Sequence, residues 1–251
     1  MVQQILIRAD DLGYCEGINY GIAKTVRDGI VRSVGLMPNM PSAAHGLSLL
    51  EGCSVCLGQH TNICVGRPLT DPSRIPSLCD SDGNFKTSKV YRTAEKDFVV
   101  LDEIVLEIEA QYQQFVKLTG RQPGYFEGHA VRSANFFKGL EIVAERHGLP
   151  LLKMGFAGSV LFRHTLLYSW LESSRPDYQP FETLQRACEG SYEANGCPML
   201  VLHPGYLDAY ILLTSSLTIP RTEEVEMACS QAARDYLQER NIRVVTYDEL
   251  D

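Results

Sequence analysis

The chain of 251 residues, 45% hydrophobic and 22% charged, has the makeup of a soluble globular protein with a sizeable core. A net charge of −8 without any clustered Lys/Arg run argues against a nucleic-acid footprint. The opening "MVQQILIRADD" lacks signal-peptide character, and no stretch nears the ~18 apolar residues of a membrane span.

The elements alternate along the chain. Residues 4–9 read as a strand and 16–29 as a helix, with Ile18, Ile22, Val26 and Ile30 on one face and Gly29 as its stop. "VRSVGLM" (31–37) is strand-like, 42–52 a short helix, and "VCLGQHTN" (55–62) the third strand. A polar loop rich in Pro, Asp and Gly follows from about Gly66 to Ser88. The longest helical pattern covers 94–118, with Gly120 after it. "GYFEGHA" and "LPLLKMG" (149–155) read as strands around a helix at 135–147, whereas 156–180 holds no period. A helix at 181–194 leads to the strand "MLVLHPG", a helix at 222–240 and a last strand "IRVVTY". Strands alternating with helices imply βαβ units and a parallel sheet. The expected fold is a single α/β domain over 1–251: a (β/α) barrel, distorted or incomplete around the middle stretch, with an open doubly wound sheet as second choice. The eight cysteines are scattered, and the CxxC of Cys53 and Cys56 has no second ligand pair, so a reducing cytoplasm is expected.

In parallel α/β architectures chemistry gathers at the carboxyl ends of the strands. Asp10 and Asp11 end the first strand, His60 the third, His129 the strand "YFEGHA" and His203 the strand "MLVLHPG". His45, His147 and His164 fall in helical or irregular segments and read as structural. Adjacent buried carboxylates repel, so the pair at the first strand's end calls for a cation or donor. Two imidazoles and one carboxylate suit a divalent cation, and the remaining Asp is placed to take a proton from water. His203 would protonate a leaving group or polarise an intermediate. The pattern reads as metal-assisted hydrolysis.

The segments "ADDLGYCEGINYGI", "LGQHTNICVGRPL", "GHA" after a strand and "LHPGY" resemble, in order and spacing, those of the YdjC-like carbohydrate deacetylases, which include chitooligosaccharide deacetylases. The closing "PRTEEVEMACSQAARDYLQERNIRVVTYDEL" resembles the family's last helix and strand, and 155–190 matches least. The resemblance implies a barrel-like fold with one divalent metal, magnesium or zinc. It matches Asp11, His60 and His129 to the metal ligands, Asp10 to the catalytic base and His203 to the acid. Arg221 falls in the family's "R-E" segment, where pairing with a site carboxylate and a helix-start role are both open. The family's "D-x-H-x-H-x-H" run is here "EGHAVRS": only His129 remains and Glu127 replaces the Asp. Arg132 would bring positive charge near that pocket, pointing to an anionic substrate group.

The implied reaction removes the N-acetyl group of an acetylated amino sugar or chitooligosaccharide, with Tyr14, Tyr206, Tyr210 and the 66–88 loop covering the sugar. A small-molecule phosphoesterase and a non-catalytic sugar-binding or regulatory protein are the alternatives. The expected partner is a small acetylated sugar, with neither nucleic acid nor membrane. The oligomeric state is open, a homodimer included.

Overall fold

The run "QILIRADDL" forms strand β1 (Gln4–Leu12), buried along nearly its whole length. Burial on both faces is what a central strand of a parallel sheet requires. It is followed by α1 (Glu16–Arg27), β2 (Ser33–Leu36), α2 (Ala43–Leu49) and β3 (Cys56–Thr61). Next come α3 (Ser88–Thr93), α4 (Leu101–Thr119), β4 (Phe126–Gly128) and α5 (Ala134–His147). The remainder comprises β5 (Ser159–Phe162), β6 (Thr165–Trp170), α6 (Pro180–Glu189), β7 (Gly196–Leu202), α7 (Ala209–Thr214), α8 (Ile219–Cys229), α9 (Gln231–Glu239) and β8 (Arg243–Val245). The structure is a computed structural model, and residues 2–153 and 158–251 are described.

The strands order as β4-β3-β2-β1-β7-β6-β5, with β8 also paired to β1. Leu6 of β1 meets Met199 of β7 on one edge and Val245 of β8 on the other. Every pairing between these strands is parallel except the β5–β6 hairpin. The result is a curled, mostly parallel half-barrel with helices packed around it, as the alternation of elements predicts. Because β1, β3, β4 and β7 run the same way, the residues at their carboxyl ends emerge at one rim.

Four local readings differ from the sequence pattern, each for a visible reason. The 94–118 helix starts only at Leu101, because Asp97 folds back to accept from Val99 N at 3.1 Å and also caps α5 through Ser133 Oγ and Asn135 N. The 222–240 helix is two helices, broken at Ser230, which is extended and accepts from Ala233 N as the cap of α9. The strand at 149–155 shrinks to one bridge, Leu151 to Phe126, with Met154 and Gly155 outside the described residues. Within 156–180 lies the β5–β6 hairpin, whose two-residue turn is made possible by Arg163 at φ 53°. Among the described residues no helix is long and apolar enough to cross a membrane.

Candidate active site

Consecutive strand residues point to opposite faces, so Asp10 and Asp11 should diverge. They converge instead because Asp11 sits at φ 80° and the β1–β2 register slips between Ala9 and Leu12. Asp is among the few residues that tolerate this left-handed conformation, at a cost of about 1–3 kcal/mol. Gly35 of β2 completes the fit: a Cβ there would lie 3.0 Å from Asp10 Oδ1 and 3.1 Å from the His60 Cβ. The strained carboxylate pair and His60 thus occupy space that only glycine leaves free.

Asp11 Oδ1, His60 Nε2 and His129 Nδ1 converge on one point. The separations are 3.3 Å for Asp11–His60, 3.1 Å for Asp11–His129 and 2.9 Å between the two rings. Donors around a single ion with bonds of ~2.1 Å stand about 3.0–3.4 Å apart, the edge of an octahedron or tetrahedron. Asp11 Oδ1 is fully buried yet makes no hydrogen bond, while its Oδ2 takes Arg221 Nη2 at 2.8 Å. Against the opposing effect of burial, Asp11 raises the His129 pKa to about 9, and Glu127 and Asp10 push His60 upward as well. This spot therefore demands positive charge, and the orphaned oxygen with two imidazole nitrogens fits a divalent cation.

The other side of His60 is built differently. His60 Nδ1 meets Glu127 Oε1, which fixes the ring and leaves Nε2 free to face Asp11 and His129. Arg8 reaches Asp10 Oδ2 at 2.5 Å and Glu127 Oε2 at 3.4 Å, holding both buried anions with one guanidinium. Asp10 Oδ1 has no hydrogen-bond partner. Burial raises the Asp10 pKa and Arg8 works against that rise. Asp10, His60 and Glu127 also cluster tightly, but the Arg8 guanidinium already pairs with both carboxylates there.

His203, just beyond β7, donates its backbone N–H to buried Glu224 at 2.5 Å, and Tyr178 donates to the same carboxylate at 2.8 Å. Its Nδ1 is shielded from solvent and unpartnered, and burial lowers the imidazole pKa to about 3. Arg221 ties these parts together, donating to the His203 carbonyl at 3.2 Å and the Leu217 carbonyl at 3.0 Å besides Asp11. Of its two open roles, the structure shows the pairing with a site carboxylate.

Two cavities meet at His129 and His203. One, of about 520 Å³, is lined by Asp11, Tyr14, Tyr210, Arg92 and polar residues of the 66–88 loop. That loop is pinned to α4: Glu107 accepts from Leu69 N at 3.2 Å and Thr70 N at 2.9 Å, and Glu103 from Ser77 N at 2.7 Å. The second, of about 280 Å³, opens beside Asp10 and Arg8. Tyr206 and Arg132 are not among the described residues lining either cavity. His147 pairs with Glu109 at 2.7 Å and His45 lies 3.2 Å from Asn19 Nδ2, while all eight cysteines are free thiols. Sequence reasoning missed Arg8 and Glu224. The signal for Arg8 was present, a charge in the middle of an apolar strand, whereas Glu224 looks like any helix-surface glutamate.

Comparison with known proteins places this geometry in context. The family model described as "YdjC-like protein" matches residues 4–239. Carbohydrate deacetylase 2 of Listeria innocua is 28% identical over 253 residues, covering 98% of each chain. A chitooligosaccharide deacetylase of Yersinia enterocolitica is 28% identical over 274 residues, covering 99% of this chain and 100% of that one. Among solved structures, one from Enterococcus faecalis assigned to cellobiose-phosphate cleavage superposes with a TM-score of 0.83 at 22% identity, over 98% of both chains. A family 4 acetyl xylan esterase from Clostridium thermocellum, in complex with a cobalt ion, gives 0.51 at 12% identity, covering 98% and 89%. These structural likenesses speak for the fold.

Proposed function

The chain belongs to the YdjC-like protein family, and from its site we propose that it is a hydrolase removing the N-acetyl group of an acetylated amino sugar or chitooligosaccharide. The whole chain serves as one catalytic domain, acting in the cytoplasm. The observation that carries the reading is the orphaned, buried Asp11 Oδ1 facing His60 and His129, with a second unpartnered carboxylate oxygen on Asp10 beside it. The names of the relatives, carbohydrate and chitooligosaccharide deacetylases, support the same substrate class.

Asp11, His60 and His129 would hold one divalent ion, magnesium or zinc, which when bound supplies Lewis-acid polarisation of the amide carbonyl and a lowered pKa for water. Arg8 fixes Asp10 through Oδ2 so that Oδ1 is free to accept the proton of the attacking water. Glu127 orients His60, and Arg221 orients Asp11. His203 enters neutral, so it brings no spare proton of its own. Its ring N–H supports the charge developing at the reacting centre, and the proton collected by Asp10 passes to the departing nitrogen. Amide and water alone then balance as acetate and a protonated sugar amine, the nitrogen taking one water proton through Asp10 and the other from the acid released.

A phosphoesterase on the same residues is less well supported, because two-metal sites need more carboxylates and in the Asp10, His60, Glu127 group both carboxylates are already paired with Arg8. The test is acetate release from N,N′-diacetylchitobiose, before and after chelation by EDTA and with magnesium or zinc restored. Release that stops with chelator and returns with metal supports the assignment. A protein that binds metal but frees no acetate under any of these conditions contradicts it.

A further inference from the structure

A deacetylase must place only one methyl group beyond the carbonyl, a volume close to that of one water, about 30 Å³. The cavity on the Asp10 side is far larger, at about 280 Å³. Beyond Arg8, Asp10, His60 and Glu127 at its base, its wall is formed by Leu152, Val160, Leu171, Met199, Val201 and Leu217. Val160 of β5, Met199 and Val201 of β7, Lys153 and the serines after β6 all contribute to its lining. The cavity on the Asp11 side carries many more polar groups, Asp80, Asn84, Thr87, Ser88 and Arg92, beside Val65, Phe85 and Leu213. Both cavities include His129, Ala130, His203 and Leu217, so a single bound molecule can span the two with its scissile bond at the histidines.

A sugar, dense in hydroxyls, belongs in the polar cavity, where its desolvated groups find partners. The group on the far side of the amide then falls among the apolar side chains. We propose that the apolar chamber beside Asp10 is an acyl pocket built for chains longer than acetyl, and that the natural substrate class includes N-acyl amino sugars with short fatty acyl groups. The inference rests on the amide-hydrolase reading of the site and extends it to the acyl side of the substrate. The products would be the free carboxylate of the short acid and the sugar amine, with water supplying the added oxygen and protons. Nothing else enters the balance.

The experiment is an acyl-length series on chitobiose, N-acetyl, N-propionyl, N-butyryl and N-hexanoyl, read as kcat/KM with metal present. Burying each extra methylene favours the longer chain by up to about fourfold. The expected result is a kcat/KM that holds or climbs from acetyl to butyryl. In Val160→Trp, which narrows the chamber from the half-buried edge strand β5, the hexanoyl-to-acetyl ratio should drop more than about tenfold. Val160→Ala should raise that ratio, so the pair of variants stays informative if the bulky one folds poorly. Brisk acetate release together with butyryl cleavage more than about tenfold slower would overturn the acyl pocket and leave the deacetylase standing. If no amide is cleaved at all, the deacetylase reading fails instead. In that case saturation-transfer NMR with free hexanoate decides the pocket: transfer that Val160→Trp abolishes supports it, and no transfer in the unaltered protein overturns it.

Discussion

The two flanks of His60 hold neighbouring aspartates in opposite circumstances. On one flank Asp11 shares an open polar cavity with Tyr14 and Arg92, gives one oxygen to Arg221 and leaves the other facing two imidazoles. On the other flank Asp10 lies against Arg8 and Glu127 under an apolar chamber. The first flank leaves a carboxylate oxygen unpartnered between two imidazole nitrogens, whereas on the second a single guanidinium spans two carboxylates. A left-handed residue in β1 brings both adjacent carboxylates to one ring, where their different partners set them apart. Identity of residue type therefore says little about role; the partners decide it.

Removing the partners should break the contrast, most severely on the Asp11 flank. Asp11→Ala deletes the carboxylate of the proposed cation site, so metal content should fall and turnover should drop by about 10³-fold or more. Atomic absorption on dialysed protein, paired with acetate assays, checks both. On the Asp10 flank, Arg8→Met strands two buried anions with no counter-charge, at a cost of about 3–5 kcal/mol in urea unfolding. The same variant tests the proton acceptor. Burial already raises Asp10 and Arg8 restrains it, so without Arg8 the carboxyl stays protonated to higher pH. Since the base acts when deprotonated, the acid limb of the pH–rate profile should move upward. A limb that stays in place would mean that Asp10 is not the group titrating.

Smaller effects refine the picture. Glu127→Gln keeps the size of the group holding His60 Nδ1 and removes its charge, which should weaken metal affinity or activity by about 10- to 100-fold. Isothermal titration with zinc reads this. Glu107→Gln loosens the hydrogen bonds that pin Leu69 and Thr70, and should cost about 1 kcal/mol of stability with the larger change in KM rather than kcat. An equal fall in kcat would place Glu107 closer to the chemistry than its position on α4 indicates.

Much of the half-barrel is legible in the chain because its signals are local. Apolar runs that stop at Asp, His or Gly mark β1, β3, β4 and β7, and the helix stop Gly120 lies where the backbone turns left-handed. That Asp10, Asp11, His60, His129 and His203 lie at one rim follows from parallel strands, but that both aspartates turn toward His60 depends on the left-handed Asp11. What the chain does not display is cross-talk between distant segments. The His60–Glu127 contact spans 67 residues, Arg221–Asp11 spans 210, and Asp97 breaks a helix in order to cap another. The β5–β6 hairpin was hidden for a related reason. It lies at the sheet's edge, where Phe162, Thr165 and Leu167 are buried and its other residues stay partly exposed, and its apolar and polar residues do not alternate cleanly. That poorly patterned hairpin also contributes Val160 and Ser169 to the lining of the apolar chamber.

The division of labour between the two aspartates is tested most directly by Asp10→Asn, with bound metal and acetate release measured on the same preparation. The account predicts one metal per chain, as in the unaltered protein, and a turnover lowered by about 10²- to 10⁴-fold. Metal lost in step with activity would show that Asp10 is a ligand like its neighbour, and activity retained in full would show that it is not the base.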